Sequence, residues 1–351
     1  MRLDVKQVGL GAAVGALGAA VLLRMAWRGG GDVDSDGRDA DGGSTGSALS
    51  AAMATAVAME ASATGCSPPA RSPRPALATS DGTRPAIVLL GDSITQFGFR
   101  PGGWAAMVAD KYQRTADVVQ RGFSGYTTRW ALRVVPSLFP PEGIAPLLVI
   151  VFLGANDACR PAPLKGMPVS ASRQHVPVDE YRANLRKIVH SARSVGDGSS
   201  RVLLVTPPPV DGAAWLADCV TKHGAPASAE PNRDLPVTLR YAEAAVATGR
   251  ELSVPTLDLC TTLLARDDWQ ALFYDGLHPN AAGSTVIGEA MLQTIEHEFP
   301  ELTPSWFLDQ DPRKLRMDFP DHKAIDAESG TAAAIDASFA AHARAAQAAR
   351  S

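Results

Sequence analysis

Cysteine is scarce in this chain. Cys66, Cys159, Cys219 and Cys260 stand far apart and form neither a Cys-x-x-Cys pair nor a zinc-ligand spacing, which excludes a thiol-redox motif and a zinc ribbon. A large excess of charge of one sign is missing too: 33 Lys and Arg against 37 Asp and Glu give a net −4 at pH 7. No basic stripe runs along any segment, so there is no electrostatic footprint for nucleic acid. No Asn-x-Ser/Thr acceptor occurs, hence no glycosylation record of secretion. Internal repeats are absent, and no cluster of residues has metal-ligand spacing.

Near the start, Val8 to Leu23 is an uncharged apolar run flanked by Lys6 and Arg24. A membrane-spanning helix prefers about twenty apolar residues and tolerates somewhat fewer. A cleaved secretory signal needs small residues where Arg24 and Arg28 stand, and a transit peptide avoids the acids found at Asp4 and from Asp32 to Asp41. Residues 1–28 are therefore expected to be a signal anchor, with membrane association through residues 8–23. A cleaved targeting peptide or a cytoplasmic chain is the alternative. Charges on both flanks leave the orientation open.

Composition divides the remainder. Residues 29–83 are dominated by Gly, Ala, Ser, Asp and Pro without a period, which predicts a flexible linker. Two pattern matches fall in it. Gly42-Gly43-Ser44-Thr45-Gly46 has the form of a nucleophile elbow but no strand precedes it. Asp32-Val-Asp34-Ser-Asp36-Gly37 opens like a calcium loop, but its twelfth position is Gly43 rather than Glu. Residues 309–351 form a tail, first charged and then Ala-rich. Residues 84–308 remain as one domain.

In that domain strand-like and helix-like segments alternate, which predicts an α/β fold with a parallel sheet covered on both faces. Strands are expected near 86–90, 117–121, 147–153, 201–206 and 254–258. Val178, Tyr181, Leu185, Ile188, Val189 and Ala192 recur on one face of a helix over about 178–195, and another helix is expected over about 280–298. The proline-studded segment 207–233 is longer than an ordinary connection and reads as a lid or substrate-facing loop.

Polar groups cluster where these strands end. Ile87-Val-Leu-Leu-Gly91-Asp92-Ser93 stops an apolar strand at a serine, in the place where ligands bind parallel sheets. Asp275-Gly-Leu-His278, closed by Pro279, offers a base and a carboxylate to orient it. Serine, histidine and aspartate are the parts that turn a hydroxyl into an acyl acceptor. Gly125, and Asn156 in Gly154-Ala-Asn156-Asp157, follow two more strands and suit donors to an oxyanion. Of the seven histidines, His278 alone has this context; His175 and His190 read as surface residues, and Cys159 as a small buried hydrophobe.

These four blocks resemble those of the SGNH hydrolases, also called the GDSL esterase/lipase family. Longer stretches are similar to its isoamyl acetate-hydrolysing branch: Gly91-Asp-Ser-Ile-Thr-Gln-Phe97, Gly102-Gly-Trp104, Arg121-Gly-Phe-Ser-Gly-Tyr126, Thr128-Arg-Trp130 and His175-Val-Pro-Val-Asp-Glu-Tyr181. Gln120 departs from the Asn usual before Arg-Gly in that branch. The resemblance covers about residues 84–308. It implies a three-layer α/β/α, flavodoxin-like fold with five parallel strands. It also implies Ser93 as nucleophile, His278 as base, Asp275 as its partner, and Ser93, Gly125 and Asn156 as the oxyanion hole. Asp92, Gly154 and Asp157 support the site loops. The expected activity is hydrolysis of short-chain, acetate-type esters of small molecules without metal or cofactor. A lysophospholipase, a sugar deacetylase or an acyltransferase using the same triad is the rival, and a non-catalytic binding module on the same fold a more distant one.

Overall fold

The computed structural model describes residues 85–304 apart from Ile144. The apolar run 8–23, the linker 29–83 with its two pattern matches and Cys66, and the tail 309–351 lie outside the described residues. Among the described residues no helix is long and apolar enough to cross a membrane.

Five parallel strands form one sheet: β1 (Ala86–Gly91), β2 (Asp117–Gly122), β3 (Leu148–Phe152), β4 (Arg201–Val205) and β5 (Thr256–Leu257). Their order is β2-β1-β3-β4-β5, with Ile87 opposite both Val118 and Leu148, and Leu148 opposite Arg201. Every residue of β3 is buried, as expected of a parallel strand covered on both sides. The strand pleat sorts the core into two layers. Ile87, Leu89, Leu148, Ile150, Phe152, Leu203 and Val205 face one layer; Val88, Leu90, Val149, Val151, Val202 and Leu204 face the other.

Helices supply the outer layers. On the first face, α2 (Trp104–Lys111) and α8 (Ala281–Glu298) bring in Trp104, Val108, Ile287, Met291 and Ile295. On the second, α3 (Thr128–Leu138), α4 (Val178–Arg193) and α6 (Leu235–Leu252) bring in Val135, Leu185, Ile188 and Tyr241. The fold is the expected three-layer α/β/α.

Two local expectations change. Segment 207–233 is not a loop throughout: it contains the helix α5 (Gly212–His223). Asp211 caps it by accepting from the N–H groups of Ala213 and Ala214 at 3.0 and 3.1 Å, and Gly224, in the left-handed region, ends it. Prolines on both sides read as loop, while the helix fits between them. His175 is not a surface residue; it is half-buried, with Nδ1 2.6 Å from the carbonyl oxygen of Cys159.

The strand order reverses at β1: the chain goes first to β2 on one side and then to β3 on the other. The crevice beyond the carboxyl ends of β1 and β3 is the switch point at which such sheets take ligands. Ser93 follows β1 and Asn156 follows β3, one on each side of it.

Candidate active site

Four loops converge there. β1 ends in Gly91-Asp92, and Ser93 opens the short helix α1 (Ser93–Gln96). The Asp92 carboxylate accepts from Ile94 N–H at 3.0 Å and caps that turn. Ser93 is thus held at the first helical position, where a backbone N–H has no intrahelical partner.

Asp275 and His278 share one tight loop, as the sequence suggested. An antiparallel bridge between Phe273 and Pro279 closes it. Asp275 Oδ1 accepts from the N–H groups of Leu277 and His278 at 2.9 and 2.7 Å, leaving Oδ2 2.7 Å from His278 Nδ1. A carboxylate there fixes the proton on Nδ1 and leaves Nε2 as an acceptor. Nε2 lies 2.8 Å from Ser93 Oγ, a separation suited to proton transfer. Asp275 is buried. Burial alone would raise its pKa, but the hydrogen bonds from the His278 side chain and backbone outweigh it and hold the carboxyl below its usual range. Aromatic rings box the imidazole: Tyr274 stacks on it at 5.7 Å, and Phe97 and Trp215 lie at 6.0 and 6.3 Å. Trp215 comes from α5, so the 207–233 segment does face this site, through a helix.

Gly125 sits in the turn after β2 with φ of +80°, a conformation that side chains other than glycine's disfavour. Its carbonyl oxygen accepts from Gln174 Nε2 at 2.8 Å. After β3, Gly154 has φ of +131°, and a Cβ there would come within 2.7 Å of Tyr181 Oη. This bend turns Asn156 toward the loop after β2: its Nδ2 donates to the Tyr126 carbonyl at 2.9 Å, and its second Nδ2 hydrogen remains for another acceptor.

Asp157 does not reach the reacting groups. It is fully buried and accepts from the Thr128 N–H at 3.0 Å and from the Thr128 hydroxyl, which places its carboxyl at the N-terminus of α3. It therefore ties the loop after β3 to the one after β2. Burial pushes the Asp92 carboxyl up to about 6 and that of Asp157 up to about 7. Cys159 is fully buried, as expected, and burial raises its thiol pKa. At Gln120, the departure from the branch pattern, Nε2 donates to the Gln96 carbonyl at 2.9 Å; Gln96 Oε1 in turn accepts from Ser124 N–H at 2.7 Å. The substituted side chain still braces α1 against the β2 loop.

The structure adds two residues that the sequence reading missed. Arg233, only 3% exposed, and Gln174 lie against Asn156. Gln174 stands next to the His175 motif, a signal that pointed at the segment but not at that residue. For Arg233 nothing in one sequence distinguishes it from the other arginines. Two hollows flank the site. One of about 160 Å³ is lined by His278, Ile94, Phe97, Trp104 and Tyr274. A more open one of about 640 Å³ begins at Gly125 and Gln174. Among the described residues no group of three or more His, Cys, Asp or Glu could hold a metal.

A serine, imidazole and carboxylate in line at the carboxyl edge of a parallel sheet have the geometry of a nucleophilic acyl-transfer site. Residues 89–286 match the model of the GDSL-like lipase/acylhydrolase family, and the chain belongs to that family. It is 39% identical to a GDSL esterase/lipase of Arabidopsis thaliana over 70% of this chain and 96% of that protein. It is also 39% identical to the isoamyl acetate-hydrolyzing esterase 1 homolog of Mus musculus, over 63% of this chain and 87% of the relative. A lipase/acylhydrolase structure from Enterococcus faecalis aligns with 61% of this chain and 96% of its own, at 22% identity and a TM-score of 0.47.

Proposed function

We propose that the chain is a serine esterase that hydrolyses short-chain, acetate-type esters of small molecules through an acyl-Ser93 intermediate. His278 Nε2 takes the Ser93 proton as Oγ bonds to the ester carbonyl carbon, and the carbonyl oxygen becomes an oxyanion. The N–H groups of Ser93 and Gly125 and the free Nδ2 hydrogen of Asn156 hold that charge. The C–O bond to the alcohol then breaks, and His278 gives its proton to the departing oxygen. Water attacks the acyl-serine by the same route, with His278 again as base. Asp275 holds the imidazole in its tautomer and stabilises its charged form. No cofactor enters the scheme.

The observation that carries this reading is the chain of contacts from Ser93 Oγ to His278 Nε2 at 2.8 Å and from Nδ1 to Asp275 at 2.7 Å. The acetate preference draws on the relative named as an isoamyl acetate-hydrolyzing esterase. Residues 84–308 act as the catalytic domain, and residues 8–23 anchor it to a membrane. A panel of p-nitrophenyl esters tests the assignment. Turnover should be highest for acetate, fall steadily as the acyl chain lengthens, and vanish in Ser93→Ala. A preference for long acyl chains would refute the acetate reading, and turnover surviving in folded Ser93→Ala would refute the nucleophile.

A further inference from the structure

Arg233 and Gln174 have no part in the scheme above, yet both bond to the Asn156 side chain, and Gln174 also to the Gly125 carbonyl. Arg233 Nη2 donates to Asn156 Oδ1 at 2.9 Å and to Gln174 Oε1 at 2.7 Å, while Nη1 donates to the Ala155 carbonyl. Gln174 Nε2 donates to Asn156 Oδ1 at 3.1 Å and to the Gly125 carbonyl at 2.8 Å. We propose that Arg233, braced by Gln174, is a positioning residue that locks and polarises the Asn156 amide as an oxyanion donor. The inference rests on the reading of Ser93 as nucleophile and Asn156 as donor.

Three features support it. The first is orientation. Asn156 Oδ1 accepts from two donors, so flipping the amide would turn its NH₂ against a guanidinium and a second amide N–H. The amide is therefore fixed with Nδ2 toward the crevice, one hydrogen on Tyr126 and the other available. The second is electronic. A cation on the amide oxygen draws electron density from the nitrogen and strengthens Nδ2–H as a donor, an effect that a low-dielectric site enhances.

The third is cost. Among the described residues every acceptor in contact with Arg233 is a neutral oxygen, and its Nε has no partner. Burying a cation without a contacting carboxylate is unfavourable for the fold. The buried carboxyls of Asp92 and Asp157 favour the charge without accepting a hydrogen bond from it. The Trp215 ring lies 5.3 Å from the guanidinium and covers it on one side.

The test is a cycle of variants in the full chain, read as kcat and KM on p-nitrophenyl acetate, with fluorophosphonate labelling of Ser93 recorded for wild type. Arg233→Met should lower kcat about 10- to 100-fold, as weakening of one oxyanion donor implies, with KM changed less than about threefold. In an Asn156→Ala background, where the donor is already gone, Arg233→Met should cost no more than about threefold further, because residues acting as one unit are not additive. Arg233→Lys, which keeps the charge but not the fork, should recover part of the loss. Should Arg233→Met fail to fold, Gln174→Ala gives the same comparison, with a smaller loss in the Asn156→Ala background than alone. Losses that multiply in full, or that fall on KM alone, overturn the inference. Wild type that fails to label at Ser93 overturns the underlying mechanism instead.

Discussion

Replacing Asn156 by alanine should damage catalysis and stability by separate amounts that the structure lets one work out. The side chain makes three hydrogen bonds: from Arg233 Nη2 at 2.9 Å, from Gln174 Nε2 at 3.1 Å, and to the Tyr126 carbonyl at 2.9 Å. Asn156 is 4% exposed, so alanine leaves buried groups short of partners, one of them a guanidinium. At about 1–3 kcal/mol for each orphaned group, partly relieved by Arg233 and Gln174 bonding each other, the loss is roughly 2–5 kcal/mol. For a domain of this size that lowers Tm by on the order of 5–15 °C. The catalytic loss is of another kind. Removing one oxyanion donor costs about 10²- to 10³-fold in kcat, and KM should change little because the donor acts on charge that appears only in the transition state. Differential scanning fluorimetry gives the first quantity. Initial rates on p-nitrophenyl acetate, measured well below the variant's Tm, give the second. A variant that melts early but keeps kcat within about threefold of wild type would show that Asn156 only braces the turn, and the oxyanion assignment would fail.

Two further outcomes are expected. Asp275 has its folded pKa depressed below the ordinary 3.8, so its carboxylate stabilises the fold above that value and the contribution is lost as pH falls through the folded pKa. Below about pH 5, the Tm difference between wild type and Asp275→Asn should therefore shrink as pH is lowered; a difference that grows on acidification over that range would contradict the assignment. Full-length protein should partition with membranes and resist extraction by high salt or carbonate, since an apolar helix and not charge would hold it. Chain starting near Thr83 should be soluble with unchanged turnover, and intact, unprocessed protein found in the soluble fraction would rule out the anchor.

What the sequence made legible was local. An inner strand of a parallel sheet is buried on both sides and so reads as an apolar run, and β1 and β3 announce themselves in that way. Asp275 and His278 lie within one tight loop, so their spacing alone joins them. Ser93 lies 185 residues from His278 and meets it at 2.8 Å; the sequence paired them because both stand at predicted strand or loop ends. β5 is only two residues long, too short to show a period, and its flanks made it look longer. Helix α5 was hidden by prolines that bound it rather than break it. The clamp on Asn156 was invisible for a deeper reason. Arg233 and Gln174 meet Asn156 from 77 and 18 residues away, and a buried arginine looks, in sequence, like any exposed one. Donors can be nominated from their place after a strand; what orients them comes from other loops.

The central claim is that Ser93 is made nucleophilic by His278 and Asp275. Reaction with a fluorophosphonate, followed by peptide mass spectrometry, tests it most directly, because the reagent modifies only an activated serine. The adduct should fall on Ser93 alone, form rapidly in wild type, and be absent from Ser93→Ala and severely slowed in His278→Ala. An adduct on another residue, or undiminished labelling in His278→Ala, would contradict the account.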